Sequence, residues 1–310
     1  MSPQVKGFLL ASVAAATYGM NPLFTLPLYS AGMSAQSVLL VRYLLAVPIV
    51  AIMIAVRRRS FKVSGRSIAP LAGVGLLMAL SSLTLFVSYN YMDAGIASCM
   101  LFVYPVMVAA IMGIFFKEKI RATTILSLLL ASGGIALMYH TSGSGNVSFI
   151  GTVIVMASSL SYALYIVAIN QSRLRHVATL TLTFYVLVTG SLMFLALAFI
   201  NGFSIPPHAG WLEWGCLIAL AVLPTVVSFM CTTQAIQYIG STPTAILGSL
   251  EPVTAVVIGV TVFGEVIAER DFLGLMLIIA GVTMVVAGPD IPARLLRRTR
   301  MRPHLRRKSD

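Results

Sequence analysis

Residues 248–267 read GSLEPVTAVVIGVTVFGEVI and place Glu251 directly before Pro252 inside an otherwise apolar run. A carboxylate that loses its hydration is costly unless it finds a partner. A proline in a helix interior removes a backbone hydrogen bond and bends or breaks the helix. Whether the chain tolerates both features at one point depends on the solvent around this stretch. The rest of the sequence identifies that solvent.

The overall composition is that of a membrane protein. Hydrophobic residues make up 58% of the 310 residues and charged residues only 10%, whereas soluble domains carry about 25% charged residues. Apolar runs of about 17 to 25 residues, the length that spans a bilayer, recur along the whole chain. Because lipid offers the backbone no hydrogen-bond partners, these spans are expected to be helices. The sequence therefore predicts an all-α polytopic membrane protein.

Charged or turn-forming segments divide the chain into ten apolar runs. The separators include RRRSFKVSGR (57–66), KEKIRAT (117–123) and HTSGSGNVS (140–148), which carry the charges, glycines and serines typical of loops. The predicted transmembrane helices are 6–27, 34–56, 68–91, 95–116, 123–140, 149–170, 177–200, 212–235, 242–263 and 271–288.

The positions of the basic residues predict the orientation. Of the 21 Lys and Arg residues, all but Arg42 and Arg270 fall on one side of the membrane when the ten spans alternate. Basic loops stay in the cytoplasm, so we predict a multi-pass membrane protein with both termini cytoplasmic. These loops and the basic tail, residues 291–310, account for the net charge of +12 without a nucleic-acid partner. The tail is expected to lie at anionic lipid headgroups.

The opening stretch has a counterpart earlier in the chain. A shift of 147 residues lays LFVYPVMVAAIMGIFFKEKI (101–120) over residues 248–267. The shift pairs Pro105 with Pro252 and Glu118 with Glu265, and a shift of 144 pairs Tyr18 with Tyr162. The sequence therefore predicts two copies of a five-span unit, residues 1–145 and 146–290, followed by the tail. Five is odd, so the second copy is inverted in the membrane, an arrangement typical of secondary transporters.

Several motifs of both halves occur together in one known family. They are YGMNPLF (18–24), LVRYLLA (40–46) with Arg42, the YP and KE that begin and end the predicted span four, EPVTAVVIGVTVFGE (251–265) and GLMLIIAGV (274–282). In this arrangement the chain resembles the EamA-type transporters of the drug/metabolite transporter superfamily over about residues 5–288. It departs from the family pattern at Tyr104, where a small residue is usual, and at Tyr18, where Trp is common. The resemblance implies a solute carrier of the inner membrane, often an exporter of amino acids or other metabolites.

Polar side chains within the predicted spans are candidates for a substrate cavity. Arg42 and Glu251 are the clear ionisable residues there. Tyr18 and Asn21 share a helix face, and Tyr162 and Tyr165 repeat the pattern in the second copy. Small polar residues also serve as contacts between helices, which is the alternative interpretation. The predicted cavity residues are Glu251, Arg42, Tyr104, Tyr18, Asn21, Tyr162, Tyr165 and Ser88.

Three interpretations of Glu251 and Arg42 remain open at this point. The two residues form an ion pair, or Glu251 is a substrate or proton site in a wet cavity while Arg42 extends outward toward the membrane surface, or both bond only to backbone. In each case the cost of burial requires that Glu251 face the bundle interior.

The two matching prolines allow two interpretations. As residues inside a helix, Pro105 would free the carbonyl of Leu101 and Pro252 that of Gly248. The freed carbonyls would either bind solute or accompany a static kink.

These observations predict a carrier of a small polar or amphipathic metabolite, working by alternating access as a monomer or homodimer. A proton is a candidate coupling ion. The sequence shows no catalytic constellation, no metal-ligand cluster and no phosphate-binding GxxxxGK[ST] loop, so no enzyme activity, metal or cofactor is predicted. The alternative is a membrane-embedded protein that transports nothing, either a lipid-acting enzyme or an assembly subunit. Transport in proteoliposomes would distinguish the two.

Overall fold

A computed structural model describes residues 2–91, 97, 100–118, 122–139, 149–203, 210–263 and 269–287. Within these residues every regular element is helical. A 3₁₀ turn at Arg173–His176 separates α7 from α8, and a π-helical segment at Ala221–Val227 joins α9 to α10. The α-helices are α1 Pro3–Tyr18, α2 Asn21–Ser30, α3 Ala35–Val56, α4 Gly65–Ser88, α5 Tyr104–Phe116, α6 Ala122–Tyr139, α7 Phe149–Gln171, α8 Thr179–Asn201, α9 Trp211–Leu220, α10 Ser228–Ile239, α11 Ser241–Leu247, α12 Leu250–Phe263 and α13 Glu269–Ala287.

Six helical segments of the described chain are long and apolar enough to cross a membrane. They are Pro3–Ser30, Ala35–Val56, Gly65–Ser88, Phe149–Gln171, Thr179–Asn201 and Trp211–Ile239. These segments coincide with the predicted spans one, two, three, six, seven and eight, so the polytopic membrane class is confirmed. The other four predicted spans contain shorter helices, and part of span four lies outside the described residues. The count of ten therefore stays a prediction.

Large apolar side chains cover much of the outer surface. Ile52, Ile114, Phe115 and Phe199 are all strongly exposed on the long helices. A helix that is apolar on every face belongs in lipid rather than in water. The buried sides of the helices pack on one another, so the polar residues discussed below lie in the interior of the bundle.

The main helix pairs join the two halves of the chain. Helix α1 packs on α10, α3 on α8, α4 on α7 and α6 on α13. Helices α6 and α13 approach closely at two glycines. A Cβ added to Gly134 would meet the carbonyl oxygen of Gly274, and one added to Gly281 would lie 2.8 Å from the carbonyl oxygen of Ser127. Small residues thus let these two backbones come together.

Three predicted spans are interrupted, and each restarts one or two residues before a proline. Turns at Gly19 and Met20, at residues 102–103, and at Gly248 and Ser249 precede α2, α5 and α12. Pro22 is the second residue of α2, Pro105 is the second residue of α5, and Pro252 is the third residue of α12. A proline in the first turn is well tolerated because that amide would have no helical partner.

Pro105 and Pro252 each follow such a turn with one or two residues between, and their role as helix kinks stays a prediction. The two carbonyls expected to be free are engaged. The Leu101 carbonyl accepts a hydrogen bond from Ser159 Oγ (2.9 Å), and the Gly248 carbonyl accepts one from the Glu251 amide (2.8 Å). The prolines mark the points where new helices begin, and these points determine where the candidate site lies.

Candidate functional site

A small pocket lies where the interrupted helices meet. Its volume is about 270 Å³ including the open mouth. The wall combines the break between α1 and α2, the end of α4, the residue Leu101 before α5, and the first turn of α12. The lining residues are Tyr18, Gly19, Asn21, Pro22, Leu85, Tyr89, Leu101 and Glu251.

Two glycines allow the breaks to touch one another. A Cβ on Gly19 would lie 2.6 Å from the backbone carbonyl oxygen of Glu251, and a Cβ on Gly248 would overlap the hydroxyl of Tyr104. Real side-chain atoms do not approach this closely. A side chain at Gly19 would collide with backbone, and one at Gly248 would require the Tyr104 ring to move. The backbone of α1 therefore lies directly against α12, and the break before α12 lies directly against α5.

Glu251 is the acid of the pocket wall. It is the second residue of α12 and only 8% exposed. Within the described residues, its carboxylate has neither an ion pair nor a hydrogen bond. The carboxylate therefore remains free to bind another group.

Arg42 is buried completely and is bound to other residues. Its Nη1 donates to Asn21 Oδ1 (3.0 Å), its Nη2 to the carbonyl of Pro224 (3.0 Å), and its Nε to Thr225 Oγ1. The guanidinium carbon also lies 5.5 Å from the centre of the Phe86 ring. Among the described residues no salt bridge joins Arg42 to Glu251, so the structure does not bring these two predicted partners together as an ion pair.

Four of the predicted cavity residues form one aromatic cluster. The ring centre of Tyr162 is 6.0 Å from that of Tyr18, 6.0 Å from that of Tyr165 and 4.7 Å from that of Tyr104. Tyr18 belongs to the pocket wall, whereas the other three are not among its lining residues. The structure therefore gathers the tyrosines beside the pocket, with Tyr18 as their contact to it.

Asn21 provides the second polar group of the wall. It is 1% exposed, its Oδ1 accepts from Arg42, and its Nδ2 has no hydrogen-bond partner among the described residues. An arginine only donates, so the atom facing Arg42 must be the amide oxygen. The arrangement leaves a buried amide donor at the pocket.

Ser88 is not among the pocket-lining residues. Its hydroxyl is fully buried and donates to the carbonyl of Leu85 in the same helix (2.6 Å), a bond typical of serine in apolar helices. Leu85 and Tyr89, one turn before and one residue after it, face the pocket instead. These two residues, Gly19 and Pro22 were not among the cavity residues predicted from the sequence. The closely spaced glycine and proline of YGMNP were an available signal for a helix break.

The match of a family model agrees with this architecture. The model of the EamA-like transporter family matches residues 5–140 and 149–287. The chain belongs to the EamA-like transporter family. The resemblance predicted from the motifs is confirmed.

Three relatives of this EamA-like transporter carry transporter names. An uncharacterized transporter of Archaeoglobus fulgidus is 28% identical over 218 residues, which cover 70% of this chain and 76% of that protein. The uncharacterized transporter sll1319 of Synechocystis is 24% identical and covers 69% of this chain and 65% of its own length. The uncharacterized transporter YcbK of Bacillus subtilis is 24% identical, and the match covers 84% of this chain and 85% of that protein. The family and these names indicate a transporter rather than an enzyme.

A solved crystal structure has the same overall fold. It superposes with a TM-score of 0.76 over 95% of this chain and 98% of the other, at 16% identity. At this identity the likeness concerns the helical arrangement alone. The likeness does not extend to the chemistry of the pocket, which depends on the residues of this EamA-like transporter.

Proposed function

We propose that this protein is a secondary carrier that moves a small polar or amphipathic metabolite, an amino acid among the candidates, across the cell inner membrane by alternating access. Export is the direction that the family suggests. The observation that carries the proposal is the pocket formed by three interrupted helices around the buried carboxylate of Glu251. A proton remains the candidate coupling ion.

Interrupted helices are unusual inside a bilayer. Backbone without helical hydrogen bonds is tolerated at membrane depth only where protein or a polar cavity supplies partners. Transporters place such breaks at their binding sites, where the ends of half-helices face the solute. The breaks before α2, α5 and α12 meet this description, because all three contribute to one wall.

Matching contacts support the proposed inverted repeat of two five-helix units, 1–145 and 146–290. Ser158 Oγ donates to the carbonyl of Ser81 (2.7 Å), and Ser228 Oγ donates to the carbonyl of Ala14 (3.0 Å). At the shifts of 147 and 144 found in the sequence, Ser228 corresponds to Ser81, and Ser158 corresponds to Ala14. The contact between α4 and α7 is thus repeated between α10 and α1.

The α6–α13 interface repeats in the same way. Gly134 faces Gly274, and Gly281 faces Ser127; at the shift of 147, Gly281 corresponds to Gly134 and Gly274 to Ser127. Reciprocal contacts of this kind are expected of two copies related by a two-fold axis. The related pair Tyr18 and Tyr162 also stack on each other, with ring centres 6.0 Å apart.

A transport assay with reconstituted protein tests this proposal. Proteoliposomes loaded with a panel of amino acids, amines and other small metabolites should release at least one of them faster than protein-free vesicles of the same lipid. The same vesicles should show no change in their lipids. Release of no solute together with modified lipids would favour a lipid-acting enzyme instead.

A further inference from the structure

We infer that the amine is the obligatory recognition group of the solute: the pocket binds a small primary amine through Glu251, and Asn21 Nδ2 donates to an acceptor on the same solute. The inference rests on the proposed carrier function and specifies its substrate class. The charge of the pocket wall supports a cationic solute. Of the eight residues that line the pocket, Glu251 is the only carboxylate and none is basic.

The state of Glu251 favours a cationic partner. The side chain is 92% removed from solvent contact, and the described part of the chain gives its carboxylate no ion pair and no hydrogen bond. A buried carboxylate is stabilised by an opposite charge or by donated hydrogen bonds. A protonated amine supplies both, with a positive charge and up to three N–H donors.

The state of Arg42 argues against recognition of the solute through an anion. Each of its three guanidinium nitrogens already donates to a protein oxygen, and the residue is fully buried. Arg42 does not line the pocket, so a carboxylate on a solute in the pocket does not reach the guanidinium. Arg42 is therefore a positioning residue, because it holds the Asn21 amide with its oxygen turned away and its Nδ2 available.

Asn21 adds a second and weaker point of recognition. An amide donor that is 1% exposed and unpartnered is costly. A carbonyl or other acceptor on the solute would satisfy it. The two points together fit an amine with an acceptor a few bonds away, as in an amino amide, better than a simple acid.

The size and the walls of the pocket restrict the rest of the solute. A volume of about 270 Å³ with the mouth included equals at most about nine waters at about 30 Å³ each. Tyr18 and Tyr89 provide aromatic walls near Glu251, and aromatic rings also attract cations. These walls favour a compact apolar body beside the amine, and the volume of the pocket sets the upper limit on its size.

Matched compounds test the amine requirement. The probes are 2-phenylethylamine, phenylalanine and 3-phenylpropionate, with the corresponding isopentyl series of isopentylamine, leucine and 4-methylpentanoate. Binding to the purified protein in detergent is measured by the shift of its melting temperature with concentration, and transport by release from proteoliposomes. In at least one series the compounds with an amine should bind at least about tenfold tighter than the acid without one. Equal or tighter binding of the acids, or no binding of any amine, would overturn the inference.

The variants assign the amine to Glu251. Glu251→Gln should weaken binding of the amine by about tenfold or more, while Glu269→Gln, an exposed acid at the start of α13, should bind it like the parent. Unchanged binding by Glu251→Gln would contradict the inference. Tight amine binding without release from vesicles would retain the inference and overturn the carrier function, so the two failures are distinguishable.

A second variant tests Asn21. Asn21→Asp keeps an oxygen for Arg42 and removes the amide donor. The parent protein should bind phenylalaninamide more tightly than 2-phenylethylamine, and the variant should lose this difference. A difference that is the same in both proteins would exclude Asn21 as the second contact.

Discussion

Arg42 holds three parts of the molecule together through one side chain. Its three nitrogens bind Asn21 at the start of α2, and Pro224 and Thr225 of the π-helical segment. Pro224 lies within the π-helical segment, and its carbonyl accepts from Arg42 Nη2. A planar guanidinium matches three acceptors in fixed directions, which an ammonium group does not.

Replacing Arg42 by lysine should therefore destabilise the fold. The lysine keeps the charge but loses at least one of the three hydrogen bonds, each of which contributes about 1.5–3 kcal/mol when the donor is charged. We expect a clearly lower melting temperature in detergent for Arg42→Lys. Arg66→Lys, at an exposed position near the start of α4, is the matched control and should melt like the parent. Equal melting temperatures for both variants would show that the three bonds do not stabilise the fold.

At the scale of the helices, the breaks before α2, α5 and α12 shape the pocket. Pro252 is the third residue of α12, and Glu251 next to it lines the pocket from the first turn of this helix. A continuous helix through Gly248 and Ser249 would rotate this carboxylate relative to Tyr18 and Asn21. The position of the charge therefore depends on the break.

Pro252→Ala should impair transport more than Val253→Ala. The alanine restores an amide hydrogen and favours continuation of the α11 helix into α12, which would move Glu251. Both variants should be present in the membrane in similar amounts, since Pro252 and Val253 are both in the first turn of α12. The measurement is the initial rate of release from proteoliposomes. Equal rates for the parent and both variants would mean that the break has no part in transport.

The contact of α6 with α13 offers a test with two adjacent glycines. A Cβ at Gly134 would collide with the Gly274 carbonyl, whereas one at Gly133 would meet nothing within 4 Å. Gly134→Ala should cost about 1–3 kcal/mol through overpacking, and Gly133→Ala should be neutral or add up to about 1 kcal/mol through better helix propensity. Melting temperatures in detergent give the comparison. The same loss in both variants would contradict the close packing.

The sequence predicted part of the site for identifiable physical reasons. Tyr18, Asn21 and Glu251 stand out because polar groups are rare in apolar spans, and all three line the pocket. Leu85 carries no such contrast, and it reaches the pocket only because of how α4 packs. The partners of Arg42 come from a π-helical segment whose irregular hydrogen bonding has no clear sequence signal. The kinks at Pro105 and Pro252 stay a prediction, because a proline pattern alone does not tell an internal kink from a helix start.

At the scale of the whole molecule, the polytopic helical fold and the EamA-like family are established, and the contacts repeated at matching positions support two inverted units. Inversion matters because related halves can exchange which side of the membrane the pocket faces. The repeat requires an odd number of spans in each half. The sidedness of the loops is therefore the critical property.

Reporter fusions test that sidedness. We predict that fusions after residues 62, 120, 174 and 305 report a cytoplasmic location, and that fusions after residues 31, 144, 207 and 269 report an external one. The basic loops at the first set of positions determine this expectation. Two or more reversed signals would contradict the inverted repeat.

The most direct test of the central claim, a carrier whose pocket depends on Glu251, is the rate of solute release from proteoliposomes for the parent protein, Glu251→Gln and Glu269→Gln. Glutamine keeps the size of the side chain and removes its charge, so the fold should persist while the charged contact to the solute is lost. The account predicts that Glu251→Gln reduces the initial rate by about tenfold or more with normal amounts of folded protein, and that Glu269→Gln releases solute like the parent. A Glu251→Gln protein that transports at the parental rate would contradict it.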